Sequence, residues 1–128
     1  MVGGKRVSSE RNERPWGYYQ VVDKGDGWQV KRICVRSGHR LSYQRHARRS
    51  EHWYVVSGVG VATIDDTEFA VEQGSTVGIP VGAAHRMANP RTDDPADGAD
   101  LTFVEIQIGS YLGEDDIERL SDDYARDD

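Results

Sequence analysis

Between Trp16 and Ile108 this chain is a succession of short apolar runs, each cut off by glycine or aspartate before it is long enough for a core helix. Tyr18–Val22 stops at Lys24-Gly25-Asp26-Gly27, and Trp28–Val35 stops at Ser37-Gly38. Glu51–Val56 ends at Ser57-Gly58 and Gly60–Ile64 at Asp65-Asp66, and Leu41–His46, Phe69–Val71, Ser75–Ile79, His85–Ala88 and Leu101–Ile108 complete the series. Such runs, bounded by turn residues, read as β-strands of a sandwich or barrel. Fourteen glycines in 128 residues exceed the ~7 % of average usage and suit that many tight turns. The exception is the tail. Gly113 precedes Glu114-Asp115-Asp116-Ile117-Glu118-Arg119-Leu120, whose early acidic residues suit the positive end of a helix dipole, with Ile117 and Leu120 spaced to dock on the body.

One domain is the expectation for this length, divided into a polar arm over 1–13, a β-barrel over 14–112 and a C-terminal helix and tail over 113–128. Residues 90–100, with two prolines and four aspartates, read as a solvated loop. The formal charge of −6 argues against duplex nucleic acid as a partner. No apolar run approaches the ~20 residues that span a bilayer, and the N-terminus lacks a signal-peptide stretch. Cys34 is alone, so no internal disulfide forms and a reducing, cytoplasmic setting is expected. Of the sixteen cations only Lys5, Lys24 and Lys31 are lysine, and an arginine in a pocket grips phosphate or carboxylate with a two-pronged fork.

Two segments carry chemistry. Gln44 and His46 are two apart on an expected strand and share a face. Four residues then allow a turn before Glu51, which shares a face with Trp53 and Val55. Pro80-Val81-Gly82 makes a second turn that delivers His85 from another hairpin. Two imidazoles, a carboxylate and an amide oxygen make a sulfur-free donor set for a divalent ion, with room left for water or substrate. Taken singly, each has a plainer role: a hydrogen-bonded strand histidine, a surface amide, a cross-strand ion-pair partner. His39 and His52 are left in that class. The joint spacing favours a metal site.

The interval from Gly38 to Gly58 resembles the first cupin motif: Gly, five residues, Gln44-x-His46, four residues, Glu51, six residues, Gly. The interval from Gly74 to Asn89 resembles the second: Gly, five residues, Pro80-x-Gly82, two residues, His85, three residues, Asn. Gln44 stands where many cupins have their first histidine. Arg14-Pro15-Trp16-Gly17, Lys31-Arg32-Ile33, Leu41-Ser42-Tyr43-Gln44, Arg49-Ser50-Glu51-His52-Trp53, Ile79-Pro80, His85-Arg86 and the tail segment Gly109–Ile117 are similar to the type II mannose-6-phosphate isomerase domain. The resemblance runs from about residue 14 to residue 124. It departs from the family at His46-Ala47-Arg48, where relatives tend to carry a His-rich run.

The resemblance implies a single jelly-roll cupin barrel, all-β apart from the short C-terminal helix. It implies that mannose 6-phosphate and fructose 6-phosphate are interconverted through an enediol. The metal ligands would be Gln44, His46, Glu51 and His85, holding zinc ahead of manganese, cobalt, nickel or iron. Glu105, on an apolar strand beside Phe103 and Gln107, is the first candidate base, and Lys31 or metal-bound water the second. Arg86, then Arg49, would hold the phosphate, although Arg86 lies on the opposite strand face from His85. Ser42 shares the face of Gln44 and would bond a sugar hydroxyl. The tail would cover the barrel mouth or a partner subunit, and a homodimer is expected. Family members often carry a nucleotidyltransferase domain ahead of the cupin; none is expected here. The competing readings are a non-catalytic cupin that binds metal and sugar phosphate as a sensor or assembly module, and a cupin with other metal chemistry such as an oxygenase.

Overall fold

The computed structural model describes residues 10–90 and 99–124. Most of the expected arm (residues 1–9) and of the expected loop (91–98) lies outside them. Twelve strands follow in order among the described residues: β1 (Asn12–Arg14), β2 (Gly17–Gly25), β3 (Trp28–Val35), β4 (His39–Arg40), β5 (Tyr43–Arg45), β6 (Arg49–Ser57), β7 (Gly60–Ile64), β8 (Thr67–Val71), β9 (Thr76–Ile79), β10 (His85–Asn89), β11 (Leu101–Gly109) and β12 (Glu118–Ser121). They form two antiparallel sheets, in the orders β1-β2-β3-β11-β6-β9 and β12-β5-β10-β7-β8, with β4 also paired to β10. The architecture is the cupin jelly roll.

Two expectations change. Ordered chain begins before Arg14, because Asn12 and Glu13 pair with Tyr19 and Tyr18. The tail is not a helix: residues 114 and 115 turn, and Glu118 and Arg119 then pair with Arg45 and Gln44 of β5. An isolated helix this short is marginal in water, and two apolar residues give it little to bury. As a strand, the same segment supplies hydrogen-bond partners to the open edge of β5, which otherwise offers bare N–H and C=O groups.

The core follows from strand alternation. On β6 the inward row is Arg49, Glu51, Trp53 and Val55; on β11 it is Leu101, Phe103, Glu105 and Gln107. Register sets Phe103 opposite Val55, Glu105 opposite Trp53 and Gln107 opposite Glu51. Each inward row is therefore apolar at one end and polar at the other. Trp53, Val55, Met87, Leu101 and Phe103 are fully buried and close one end of the barrel, while the polar ends face a cavity.

Two turns hold this geometry. Asp65 and Asp66 both have positive φ (45° and 71°) and link Ile64 to Thr67, the backbone of a two-residue hairpin whose twist suits the sheet. Asp65 also donates its N–H to the Ala84 carbonyl (2.8 Å) and accepts the Ala84 N–H on its side chain (2.9 Å), anchoring the residue before His85. At Gly109 the strands approach closely. A Cβ there would lie 2.1 Å from the Arg48 carbonyl oxygen and 2.7 Å from Arg49 Cα, so only glycine lets β11 run beside the start of β6.

Candidate metal centre and active site

A cavity of about 360 Å³ opens at the polar end of the barrel, with His46, Glu51, His85, Gln44, Ser42, Arg49, Lys31 and Glu105 among its walls. The ligand atoms of His46, Glu51 and His85 lie within 4.8 Å of one another, and all three residues are buried. His46 Nε2 is 3.1 Å from one Glu51 oxygen and His85 Nε2 is 3.4 Å from the other. Gln44 sits directly across the sheet from His85. The Gly82 N–H donates to the His46 carbonyl (2.9 Å), tying the loop before His85 to the first ligand segment.

This arrangement fits a divalent cation. His46 Nδ1 lies 2.6 Å from the Asp116 carbonyl and His85 Nδ1 lies 2.9 Å from the Ala83 carbonyl. A carbonyl only accepts, so each Nδ1 carries a proton and each Nε2 is the nitrogen turned toward Glu51 and available to a cation, the outer-sphere pattern typical of ligating histidines. Burial alone would raise the Glu51 pKa. Its contacts with the His46 and His85 imidazoles, and the charges of His85 and Arg49, outweigh it and hold the carboxyl well below the usual carboxylate range. Glu51 correspondingly raises His85, against the effect of burial. Two nitrogens, one anionic oxygen and the nearby Gln44 amide suit zinc, manganese, iron, cobalt or nickel, and geometry of this kind does not select among them.

Glu105 has a different environment. It accepts hydrogen bonds from Trp53 Nε1 (2.9 Å) and Gln107 Nε2 (2.6 Å), and Gln107 is itself held by Gln29 (3.0 Å). Burial first, and the Glu51 charge second, raise its pKa to about 7, with Lys31 and Arg49 opposing. The Trp53 N–H also lies 3.3 Å from Glu51, so one indole links the ligand carboxylate to the candidate base. Lys31, opposite Glu105 in the sheet, is buried with its ammonium 4.2 Å from the Tyr19 ring centre and paired with Glu114 from the tail. Ser42 is buried in the cavity wall. Arg49 is buried beside Glu51 and His46.

Arg86 is where the sequence-based expectation gives way. With His85 turned inward, strand alternation turns Arg86 outward. Its Nε donates to the Leu41 carbonyl (3.0 Å), and its side chain lines a separate outer groove with Arg40, Glu68 and Asp123. The cavity receives other cations instead. Arg14 enters from β1 and Arg119 from β12, beside Trp16, Tyr19, Glu114 and Ile117. Ile117, just ahead of β12, and Arg119 are two residues apart and both line the cavity, a signal hidden by reading the tail as a helix. Arg48, at the departure from the family pattern, packs over the Tyr111 ring (5.4 Å) rather than lining the cavity.

The family model for the mannose-6-phosphate isomerase C-terminal domain matches residues 5–122. The chain belongs to this family. Curated relatives of this isomerase-type domain include the alginate biosynthesis protein AlgA of Pseudomonas aeruginosa, 50 % identical over 88 % of the chain and 22 % of the relative. The xanthan biosynthesis protein XanB of Xanthomonas campestris is 45 % identical over 88 % of the chain and 23 % of the relative. The mannose-1-phosphate guanylyltransferase of Escherichia coli is 43 % identical over 88 % of the chain and 22 % of the relative. The chain thus spans less than a quarter of the length of these relatives. Among solved structures, the capsular polysaccharide assembling protein CapF of Staphylococcus aureus superposes with a TM-score of 0.72 at 22 % identity, over 88 % of this chain and 34 % of that one. KdgF from Halomonas gives a TM-score of 0.72 at 13 % identity, over 89 % and 98 % of the two chains. These likenesses speak to the fold. Among the described residues no helix is long and apolar enough to cross a membrane.

Proposed function

We propose that this domain is a divalent-metal-dependent aldose–ketose isomerase that interconverts mannose 6-phosphate and fructose 6-phosphate. The observation that carries the reading is the pairing of two buried carboxylates through one indole N–H: Glu51 among the imidazoles, Glu105 beside them without a ligand's surroundings. Like charges this close favour one ionised and one protonatable group, the division of labour that proton transfer requires. A cation held by His46, Glu51, His85 and Gln44 would supply Lewis acidity toward the sugar's O1 and O2.

The chain's own residues do the rest. Glu105, ionised, removes the proton from C2 of the open-chain aldose as the C1 carbonyl oxygen takes one from solvent, giving the 1,2-enediol. The same carboxyl then returns its proton to C1 as O2 gives its own back to solvent and becomes the ketone. No atom is gained or lost. Trp53 and Gln107 fix both oxygens of the carboxyl for this shuttle. Ser42 supplies a hydroxyl to the sugar. Arg14, Lys31 and Arg119 line the same cavity and supply positive charge for the phosphate, the role first given to Arg86. The homodimer reading draws support from the outer face of the first sheet, where Tyr54, Ile106 and Ile108 are exposed.

A coupled assay for fructose 6-phosphate, starting from mannose 6-phosphate and the metal-loaded protein, tests the reading. Turnover supports it. Metal and sugar-phosphate binding with no turnover would overturn it in favour of the sensor or assembly module.

A further inference from the structure

Arg49 is bonded to the same atoms that a metal would use. Its Nε donates to a Glu51 oxygen at 2.9 Å, and its Nη2 lies 3.1 Å from His46 Nε2 and 2.9 Å from that same Glu51 oxygen. The residue is 5 % exposed and its Nη1 is buried with no hydrogen-bond partner. Its backbone is held by the close approach of Gly109. A neutral imidazole has one lone pair on its unprotonated nitrogen. Because the Asp116 carbonyl holds a proton on His46 Nδ1, Nε2 is the ring nitrogen left to a cation, and Arg49 Nη2 stands 3.1 Å from it.

We propose that Arg49 is an internal competitor for the metal: a divalent ion coordinates His46 and Glu51 only by displacing the guanidinium from His46 Nε2. The competition has two sources. One lone pair cannot serve both a donated N–H and a cation. A fixed positive charge within a few ångströms of Glu51 also cancels the charge that attracts the ion. The same contact stabilises the protein without metal, since an ionised carboxylate as buried as Glu51 is costly without a partner. Arg49 thereby sets metal affinity below what the ligand set alone would reach, and it makes the domain's stability less dependent on metal. The proposal rests on the metal centre and not on the isomerase reaction.

Cobalt(II) is the probe, followed by its visible absorption and by competition with a chromophoric chelator, on the full chain and on Arg49→Gln. The variant is expected to bind cobalt(II) at least ~10-fold more tightly. After chelator treatment it is expected to melt below the parent, and that deficit is expected to vanish at saturating cobalt(II). Unchanged or weaker affinity in folded Arg49→Gln would overturn the proposal and leave Arg49 as a residue that positions Glu51. Should the glutamine variant not fold without metal, Arg49→Lys, which keeps the charge but cannot bridge both ligands, is expected to bind about threefold more tightly, and equal or weaker binding overturns the proposal. Cobalt(II) binding to neither protein would overturn both the metal centre and the competition. Tight binding with no isomerisation would refute only the function proposed above.

Discussion

Replacing Asp116 with alanine tests whether the C-terminal strand segment positions a ligand or merely covers the barrel. Three interactions converge on this residue. Its carboxylate accepts the N–H of Ala47 (2.9 Å) and of Arg48 (3.0 Å), and its main-chain carbonyl faces His46 Nδ1 (2.6 Å). The substitution removes the first two and leaves the third without its anchor. Hydrogen bonds to an ionised carboxylate are worth more than neutral ones, but these are solvent-exposed, so about 1 kcal/mol each is reasonable. The loss of ~2 kcal/mol should lower the melting temperature by roughly 4–8 °C for a domain this size. Loosening an outer partner of a ligating histidine typically costs ~10-fold or more in metal affinity. The assay is competition with a chromophoric chelator beside thermal melting, with Asp115→Ala as control, because Asp115 accepts only from the Tyr111 hydroxyl among the bonds described. The control should bind metal like the parent. If Asp116→Ala loses stability yet binds metal with unchanged affinity, the segment does not orient His46 and the argument fails.

Glu105→Gln should cut turnover by ~10²–10⁴ with metal content unchanged, measured by coupled assay and elemental analysis; full activity would remove Glu105 as the base. Arg86→Met should leave KM for mannose 6-phosphate within about twofold, whereas Arg119→Met should raise it severalfold, because only Arg119 lines the cavity. Asp123 is held below its usual pKa by its hydrogen bonds to Arg40. Its stabilisation is therefore fully present above the unfolded-state value and lost as pH falls through the folded one. The deficit of Asp123→Asn in urea melts, at most ~1 kcal/mol for a surface pair, should be present at pH 7 and disappear in acid.

The strand pattern was readable because alternation decides both burial and direction. The runs over Trp28–Val35 and Gly60–Ile64 coincide with β3 and β7. The same two-residue period set Gln44 with His46, and Glu51 with Trp53, on inward faces. It also warned that Arg86 faces away from His85. What stayed hidden depended on the chain returning to itself. Arg14 and Arg119 come from opposite ends of the chain, and only the pairing of β1 with β2 and of β12 with β5 brings them to one cavity. The tail's acidic residues resemble a helix start, yet they serve as tethers: Glu114 to Lys31, Asp116 to Ala47 and Arg48, Glu118 to Arg45. No local propensity encodes such long-range partners.

The most direct test of the central claim is proton NMR of mannose 6-phosphate in deuterium oxide, with protein that has been stripped by chelator and then reloaded with one divalent metal. The account predicts that only the reloaded protein forms fructose 6-phosphate, with solvent deuterium appearing at the carbon that receives the proton. Isomerisation that persists after complete metal removal, or a reloaded protein that binds the sugar phosphate and neither exchanges nor isomerises it, would contradict the account.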